Sequence, residues 1–244
     1  MKIAHILWSL LTGGTENLVV DIANEHCKTD DVAIFVINNE VMPYLKDKLD
    51  ARCKLYLIGR EPGSRNPWPL LKLNYQIRRY NPDIIHSHSA RAIYCIKGLS
   101  HIPFVRTIHG LNPSDEYPRY KALYAVSNTV TEITKKQGFD CKTIYNGINT
   151  SRIATSCPKP WNDNLFHIVQ LGRLEHNQKG QDIALRSISI FKKKCIKGFL
   201  VHFIGNGPSM TYLQQLTEEL HIQDCVVFEK AGDTQQAAPW AAKR

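Results

Sequence analysis

The strongest constraint on the fold is a regular alternation between short apolar runs and segments with helical periodicity. This alternation is typical of a mostly parallel β-sheet with helices packed on its faces. The strand candidates of the first part of the chain are residues 2–8, 32–37, 53–58, 83–86, 103–108, 122–126 and 142–145. The helix candidates between them are residues 15–27, 42–49, 68–80, 90–99 and 128–137. The sequence therefore predicts an α/β domain over residues 1–148.

A second α/β segment begins at Leu165. Residues 149–164 carry Pro158, Pro160 and several Asn and Asp residues with little periodicity, which is typical of an interdomain linker. Beyond this linker the strand candidates are residues 165–171, 199–204 and 225–228, and the helix candidates are residues 180–194 and 209–220. We therefore expect a second, shorter domain over residues 165–228.

The last segment, residues 229–244, breaks with both patterns. It is rich in alanine, where the preceding sequence is rich in isoleucine and lysine, and it has neither a strand period nor a helix period. Such a break indicates frameshifted or vector-encoded sequence, so this tail is left out of the fold prediction. A natural, poorly ordered terminus is the alternative.

The charge and cysteine content limit the classes of partner and the compartment. The 244 residues carry a formal net charge of +9, which favours anionic partners such as nucleotide phosphates, acidic lipids or nucleic acid. Nucleic acid is not expected, because the sequence has no RNA-binding aromatic signature, no zinc-finger spacing and no basic run longer than residues 192–194. The seven cysteines are scattered without a Cys-x-x-Cys pair, which argues against a disulfide framework and a zinc site and indicates a reducing, cytoplasmic compartment.

A basic loop over residues 172–180 is a candidate anion site. Arg173 follows the strand candidate 165–171, and Lys179 stands six positions later, before the next helix candidate. Open α/β sheets bind anionic ligands at the carboxyl ends of strands and the amino ends of helices, and two cations there could neutralise a diphosphate without a metal ion. An ordinary β–α loop with two solvated basic residues explains the same pattern.

A second loop of similar character follows the first strand candidate. Gly13 and Gly14 stand between residues 2–8 and the helix candidate 15–27. Glycine allows the backbone to approach a ligand closely, and the free N–H groups of a helix amino terminus can bind phosphate. By itself the pattern is weak, because paired glycines before a helix are common in turns.

The order and spacing of these loops and the segments around them resemble family 4 retaining glycosyltransferases of the GT-B fold. The matching segments, within residues 2–228, are residues 13–16, 83–89, 106–110, 125–128, 144–148, 172–180 and 204–208. The resemblance implies an α/β fold of GT-B type, with a complete amino-terminal Rossmann-like domain, on the acceptor side of a cleft, and an incomplete second Rossmann-like domain that binds the nucleotide sugar.

The resemblance also implies roles for individual residues. His109 is placed beside the donor sugar as the candidate catalytic residue, and we assign it to positioning because these enzymes have no agreed protein nucleophile. Asn146 is a candidate on the cleft side. The residues implied in binding the donor diphosphate are Gly13, Gly14, Arg173 and Lys179. The candidates on the nucleotide side are Gly205 and Gly207.

The implied reaction is transfer of a sugar, with retention, from a nucleotide-diphosphate sugar such as a UDP- or GDP-sugar. The implied acceptor is a glycan or lipid-linked sugar in bacterial surface polysaccharide synthesis, at the cytoplasmic face of the membrane. No metal or other cofactor is expected. His86 and His88 lie on one face of a strand candidate, but without a third ligand cluster they favour a structural or acceptor-side role over metal binding.

The sequence departs from the family in its second half. The family carries a Glu-x7-Glu pair that holds the donor sugar and ribose, and no Glu of this chain is followed eight positions later by another. The family's final helix, which crosses back onto the first domain, is also missing. We therefore expect a truncated enzyme with little or no transferase activity; a non-catalytic remnant or binding module is the alternative. A dinucleotide-dependent oxidoreductase is disfavoured, because no Gly-x-Gly-x-x-Gly follows the first strand candidate.

Contact with a membrane surface is a further alternative for the helix candidate 68–80. Its apolar residues share one face and its basic residues lie opposite, which suits both a helix on an anionic membrane and a helix packed on a sheet. The packed helix is preferred because the segment lies between two strand candidates. No apolar stretch approaches the roughly 20 residues that span a bilayer.

Overall fold

The computed structural model describes residues 1–11, 13–111, 114–150, 164–194 and 198–229. Contacts between residues divide the chain into two compact units, Met1–Asn149 and Thr150–Arg244, and each contains its own sheet. Nearly all of the predicted linker 149–164 and the predicted tail 229–244 lie outside the described residues.

The first unit is built on a seven-stranded, wholly parallel sheet with the order β3-β2-β1-β4-β5-β6-β7. Its strands are β1 (Lys2–Leu7), β2 (Asp31–Asn38), β3 (Lys54–Arg60), β4 (Ile84–Ser87), β5 (Phe104–Ile108), β6 (Ala122–Ala125) and β7 (Lys142–Thr143). Each strand predicted from the sequence is present, with both ends within two residues of the prediction.

Helices cover both faces of this sheet. They are α1 (Gly14–His26), α2 (Pro43–Asp47), α3 (Trp68–Tyr80) and α4 (Asn128–Lys136), with 3-10 turns at Ala92–Cys95 and Tyr117–Arg119. Ser127 caps α4 as its sequence position predicts, because its hydroxyl accepts a hydrogen bond from the Val130 amide at 3.3 Å. Among the described residues, no helix is both long enough and apolar enough to cross a membrane.

Strand β2 shows why the sheet needs cover on both sides. All residues from Val32 to Ile37 are fully buried. Val32 and its alternate neighbours pack in the cluster that contains α1 and α2, whereas Phe35 and its alternate neighbours pack in the cluster that contains α3. Because successive side chains of a strand point to opposite faces, a continuous apolar run is the signature of a doubly covered parallel strand.

The predicted helix 90–99 is wrong: this segment forms only the 3-10 turn Ala92–Cys95. Arg91 has a left-handed backbone with φ of 62°, and Gly98 has φ of 67°, so the backbone leaves the helical region on both sides of the turn. The Arg91 amide also donates to a carboxylate oxygen of Glu116 at 2.7 Å. A tertiary contact distant in sequence therefore replaces the helix that the local pattern favoured.

Glu116 is a buried anchor for the loop that follows β5. Its side chain is fully buried, and it accepts a hydrogen bond and an ion pair from the guanidinium of Arg106 on β5. It also accepts from the hydroxyl groups of Ser114 at 3.0 Å and Tyr120 at 3.2 Å. With the Arg91 amide, this carboxylate joins the loops that follow β4 and β5.

The second unit contains a three-stranded parallel sheet with the order β10-β9-β8. Its elements are β8 (Phe166–Leu171), α5 (His176–Lys179), α6 (Gln181–Lys193), β9 (Phe199–Ile204), α7 (Met210–Glu219), a 3-10 turn at Gln223–Cys225 and β10 (Val226–Glu229). Its core is a cluster around Phe203 and Leu213, both fully buried.

Strand β8 and helix α6 carry exposed apolar side chains. Phe166 is 71% exposed and Leu171 is 51% exposed on β8, and Ile183 on α6 is 67% exposed. The order of the three strands matches one half of a doubly wound sheet, in which the first strand is flanked on both sides. Among the described residues β8 has one neighbour, so this unit is an incomplete Rossmann-like domain.

We expect Glu116→Ala to lower the free energy of unfolding by about 3–5 kcal/mol, because Arg106 would be left buried without its partner charge. Urea denaturation measures the change. Asp115→Ala is the matched control: Asp115 pairs with Arg91 at 3.8 Å with both side chains about two-thirds exposed, and its removal should cost less than about 0.5 kcal/mol. Equal losses in the two variants would contradict this account of Glu116.

Candidate functional site

The strand order of the first unit marks one place on the sheet as a ligand crevice. From β1 the chain builds outward to β2 and β3, and it then returns to place β4 on the other side of β1. Ligands of open α/β sheets bind outside the carboxyl ends of the strands at such a reversal. The loops after β1, β4 and β5 all begin at this edge. In or beside these loops lie three groups of residues predicted from the sequence, which are Gly13 with Gly14, His86 with His88, and His109.

Gly13 and Gly14 form the turn from β1 into α1. Gly13 is the extended residue before the helix, and Gly14 is the first helical residue and is exposed. A Cβ on Gly14 would have no heavy atom within 4 Å, whereas one on Gly13 would lie 2.1 Å from a carboxylate oxygen of Glu16, so a bound anion would have to displace that carboxylate. The first amides of a helix lack intrahelical acceptors, so this turn offers N–H donors to an anion.

His109 follows β5 directly and is half-buried. Burial and the nearby charge of Arg106 lower its pKa to about 4. The ring is therefore neutral near pH 7, where it can donate one hydrogen bond and accept another but holds no extra proton to deliver. This state suits the positioning role that the sequence analysis assigned to His109.

Three more histidines lie beside His109 on the same face of the sheet. His5 on β1 is directly opposite His86 on β4, and His88 follows two residues later. His5 Nδ1 and His88 Nε2 are 3.0 Å apart, and His86 Nε2 is 2.8 Å from the hydroxyl of Thr107. The ring centroids of His88 and His109 are 5.8 Å apart.

Burial keeps these rings uncharged. Desolvation and the neighbouring histidines lower the pKa of His86 to about 4, and they hold the pKa values of His5 and His88 well below the ordinary range. The sequence analysis singled out His86 and His88 but missed His5. Its role depends on the pairing of β1 with β4, which the local pattern does not reveal.

In the second unit, Arg173 and Lys179 lie on an exposed loop. The Arg173 guanidinium is 3.2 Å from a carboxylate oxygen of Glu175, and its side chain is 65% exposed. Lys179 is the last residue of the one-turn helix α5, and Gly180, with a left-handed φ of 66°, separates it from α6. Lys179 therefore lies just before α6, close to its place before the predicted helix 180–194, and the side chains of both cations are exposed.

Gly205 and Gly207 meet the loop that carries Arg173 backbone to backbone. A Cβ on Gly205 would lie 1.9 Å from the Gly172 carbonyl oxygen, and one on Gly207 would lie 2.1 Å from the Leu174 carbonyl oxygen. The Leu174 amide donates to the Asn206 carbonyl at 3.0 Å. These glycines are therefore required by chain packing, and a role in nucleotide binding stays a prediction. Asn146 lies on the exposed segment after β7, and its role also stays a prediction.

The comparisons with known proteins identify the class of protein that this fold and these loops define. The family model described as Glycosyltransferase Family 4 matches residues 12–152, more than half of the chain. The chain belongs to glycosyltransferase family 4. A search of curated proteins finds no match.

Solved structures agree with the fold. HepE of Anabaena, in complex with UDP-glucose, superposes with a TM-score of 0.77 at 18% identity, over 99% of this chain and 72% of that chain. A glycosyltransferase from Rickettsia africae gives 0.72 at 19% identity, over 99% of this chain and 70% of that chain. A mutant of S. aureus TarM, in complex with fondaparinux, alpha-GlcNAc-glycerol and UDP, gives 0.73 at 10% identity, over 97% of this chain and 78% of that chain. The predicted GT-B fold class, with one complete and one partial Rossmann-like domain, is confirmed.

We expect the free energy of unfolding to fall between pH 6.5 and pH 4. In this range the unfolded chain, with its ordinary histidine pKa of 6.5, binds a proton that native His86, with a pKa of about 4, does not bind. His86→Gln removes this proton-binding group and can keep the contact with Thr107. As the pH falls, the variant should therefore lose less free energy of unfolding than the wild type. Urea denaturation at pH 7 and pH 5 makes the comparison. An identical loss in both proteins would show that His86 does not contribute.

Proposed function

We propose that this chain derives from a retaining glycosyltransferase whose donor is a nucleotide-diphosphate sugar, such as a UDP- or GDP-sugar. The acceptor is a glycan or lipid-linked sugar in bacterial surface polysaccharide synthesis. The observation that carries the proposal is the presence, in a family 4 chain, of two glycine-containing loops, each at the carboxyl end of the first strand of a parallel sheet. The complexes of HepE with UDP-glucose and of TarM with UDP and alpha-GlcNAc-glycerol support the donor and acceptor classes.

In this proposal Arg173 and Lys179 bind the donor diphosphate. Breaking the bond between sugar and phosphate builds negative charge on the leaving nucleotide, and fixed cations stabilise that charge in the transition state. Gly13 and Gly14 let the first turn of α1 approach the phosphates. His109, held neutral by burial, hydrogen-bonds the sugar and positions it. The two cations supply the charge that a metal ion supplies in other transferases.

The chain lacks the Glu-x7-Glu pair, and its partial second domain leaves apolar side chains of β8 and α6 exposed. We therefore propose that transfer is impaired, with a non-catalytic remnant or binding module as the second candidate. An assay with a labelled nucleotide sugar separates the two, because a remnant transfers no sugar to any acceptor.

We expect Arg173→Ala and Lys179→Ala each to weaken UDP binding by about 10- to 150-fold, since each removes a charge-assisted hydrogen bond worth about 1.5–3 kcal/mol. Arg173→Lys should also weaken binding, because an ammonium group cannot form the bidentate contact of a guanidinium. Amide chemical shifts recorded by NMR during titration with UDP and GDP measure even millimolar affinities.

Arg186→Ala is the matched control, since Arg186 is exposed on α6 and its loss changes the net charge of the unit equally. It should leave UDP affinity nearly unchanged. If Arg173→Ala and Lys179→Ala behaved like this control, the diphosphate assignment would be wrong.

Peripheral contact with a membrane is proposed for the outer face of α3, in a cytoplasmic protein. The inner face of α3 packs on the sheet through residues such as Leu73, which is the arrangement preferred from the sequence. The outer face, however, presents Trp68, Leu71 and Tyr75, exposed by 72%, 57% and 62%. Their spacing of three and four residues places them on one side of the helix. An aromatic stripe near basic residues suits the surface of an anionic bilayer.

We expect Trp68→Ser and Tyr75→Ser to reduce sedimentation of the protein with vesicles of anionic phospholipid, because each removes an aromatic ring that would insert between headgroups. Tyr145→Ser is the matched control, since Tyr145 is 66% exposed but lies outside α3. Equal sedimentation of all three variants and the wild type would count against contact through α3.

A further inference from the structure

Three histidines of the first unit converge on one point that the proposed transfer reaction does not use. They are His5 from β1 and His86 and His88 from β4 and the residue after it. One ring nitrogen of each lies within 4.8 Å of the corresponding nitrogen of the other two. In the part of the chain that the structure describes, no other group of histidine, cysteine, aspartate or glutamate side chains meets in this way.

The strand pairing fixes this convergence. His5 and His86 are partners across the parallel β1–β4 pair, and side chains of such partners leave the sheet on the same face. His88 is two residues beyond His86 and returns to that face. The ring of His26, at the end of α1, stacks on His5 with centroids 5.6 Å apart and covers the cluster from one side.

The spacing of one pair of these nitrogens fits a shared ion, and the third lies within 4.8 Å of both. Two nitrogen ligands at about 2.0–2.1 Å from a tetrahedral zinc ion lie about 3.3 Å apart. His5 Nδ1 and His88 Nε2 are 3.0 Å apart and share one proton in the ion-free protein. An ion between them would take the place of that proton, which moves to the other nitrogen of the same ring, so the ring binds as a neutral imidazole. When His86 Nε2 donates to the Thr107 hydroxyl, its Nδ1 keeps the lone pair that a ligand needs.

The histidine pair is also incompletely satisfied by the protein. His5 is fully buried and His88 is 4% exposed, yet His5 Nε2 and His88 Nδ1 have no hydrogen-bond partner among the described residues. Each lies on the opposite side of its ring from the nitrogen that faces the ion, so it carries the ring proton when the ion binds. Burial also lowers the pKa of all three rings, which keeps them in the neutral form that binds metals.

We propose that His5, His86 and His88 bind one divalent transition-metal ion with imidazole affinity, such as Zn²⁺, Co²⁺ or Ni²⁺. Three imidazoles form a ligand set that these ions prefer, and His86 is the least buried of the three. The ion fastens β1 to β4 at the point where the strand order reverses. The sequence analysis favoured a structural or acceptor-side role for His86 and His88 because it lacked the third ligand, which the structure supplies in His5.

Titration of the chelator-treated protein with Co²⁺ tests the site. We expect one equivalent to bind and to produce the visible d–d bands of a nitrogen site, without the intense thiolate-to-cobalt absorption that cysteine ligation gives. Added Zn²⁺ should displace the cobalt and bleach the spectrum. Bound ion should also raise the melting temperature, because the unfolded chain cannot assemble the three ligands.

Variants assign the ligands. Loss of a partner around a metal ligand typically weakens binding by 10–100-fold, so His86→Gln and His88→Gln, which remove a ligand itself, should weaken Co²⁺ binding by about 100-fold or more. His202→Gln is the matched control. His202 forms a similar close pair with His167 at 2.8 Å, but its other ring nitrogen contacts Glu229 at 2.6 Å, so the three groups cannot face one ion.

The outcomes are distinct from those of the proposed transfer function, since no nucleotide or sugar is involved. Absence of saturable Co²⁺ binding by the wild type, or unchanged affinity in His86→Gln, overturns the proposal. His86 is the least buried of the three, so we expect His86→Gln to fold even if His5→Gln or His88→Gln does not. The Co²⁺ affinity of His86→Gln therefore tests the proposal by itself. Circular dichroism checks that each variant is folded.

Discussion

The parallel pairing of β1 with β4 is the contact on which the rest of the first unit depends. It reverses the strand order and so creates the crevice at the carboxyl edge of the sheet. It places the turn at Gly13 and Gly14 beside the strand that precedes His88, and it sets His5 against His86. A slip of one residue in this register would turn His5 to the opposite face of the sheet and disperse the histidine cluster.

The strands of the first unit could be predicted to within two residues because most of them are short apolar runs, and the core covers β2 on both faces. The local sequence pattern predicted a helix at residues 90–99, but a contact with a distant loop determines the backbone conformation there. The amide of Arg91 is held by Glu116, and no helical periodicity carries information about that contact. The short helix α5 also escaped prediction, since its four residues are too few to show a period.

The residues of the candidate site also differ in whether the sequence alone could reveal them. Arg173 and His109 could be proposed from the sequence because each directly follows a strand, and Lys179 because it precedes a helix candidate; their roles stay predictions. His5 could not, since a histidine inside an apolar strand is conspicuous only after its neighbouring strand is known. Gly205 and Gly207 were found as ligand candidates, but the structure gives them a packing role that single-sequence reasoning cannot separate from ligand binding.

The contact between the two glycine-bearing loops of the second unit has a consequence for how such sequences vary. There is no room for a side chain at Gly205 or Gly207, because each packs directly against the backbone of Gly172 or Leu174. The backbone conformation of each loop is therefore constrained by the other. The Arg173 side chain is 65% exposed, so packing sets no limit on its size. Packing does limit Gly205 and Gly207. Packing therefore fixes the backbone of these two loops, and the freedom to change the local chemistry lies with the exposed side chains that the loops carry.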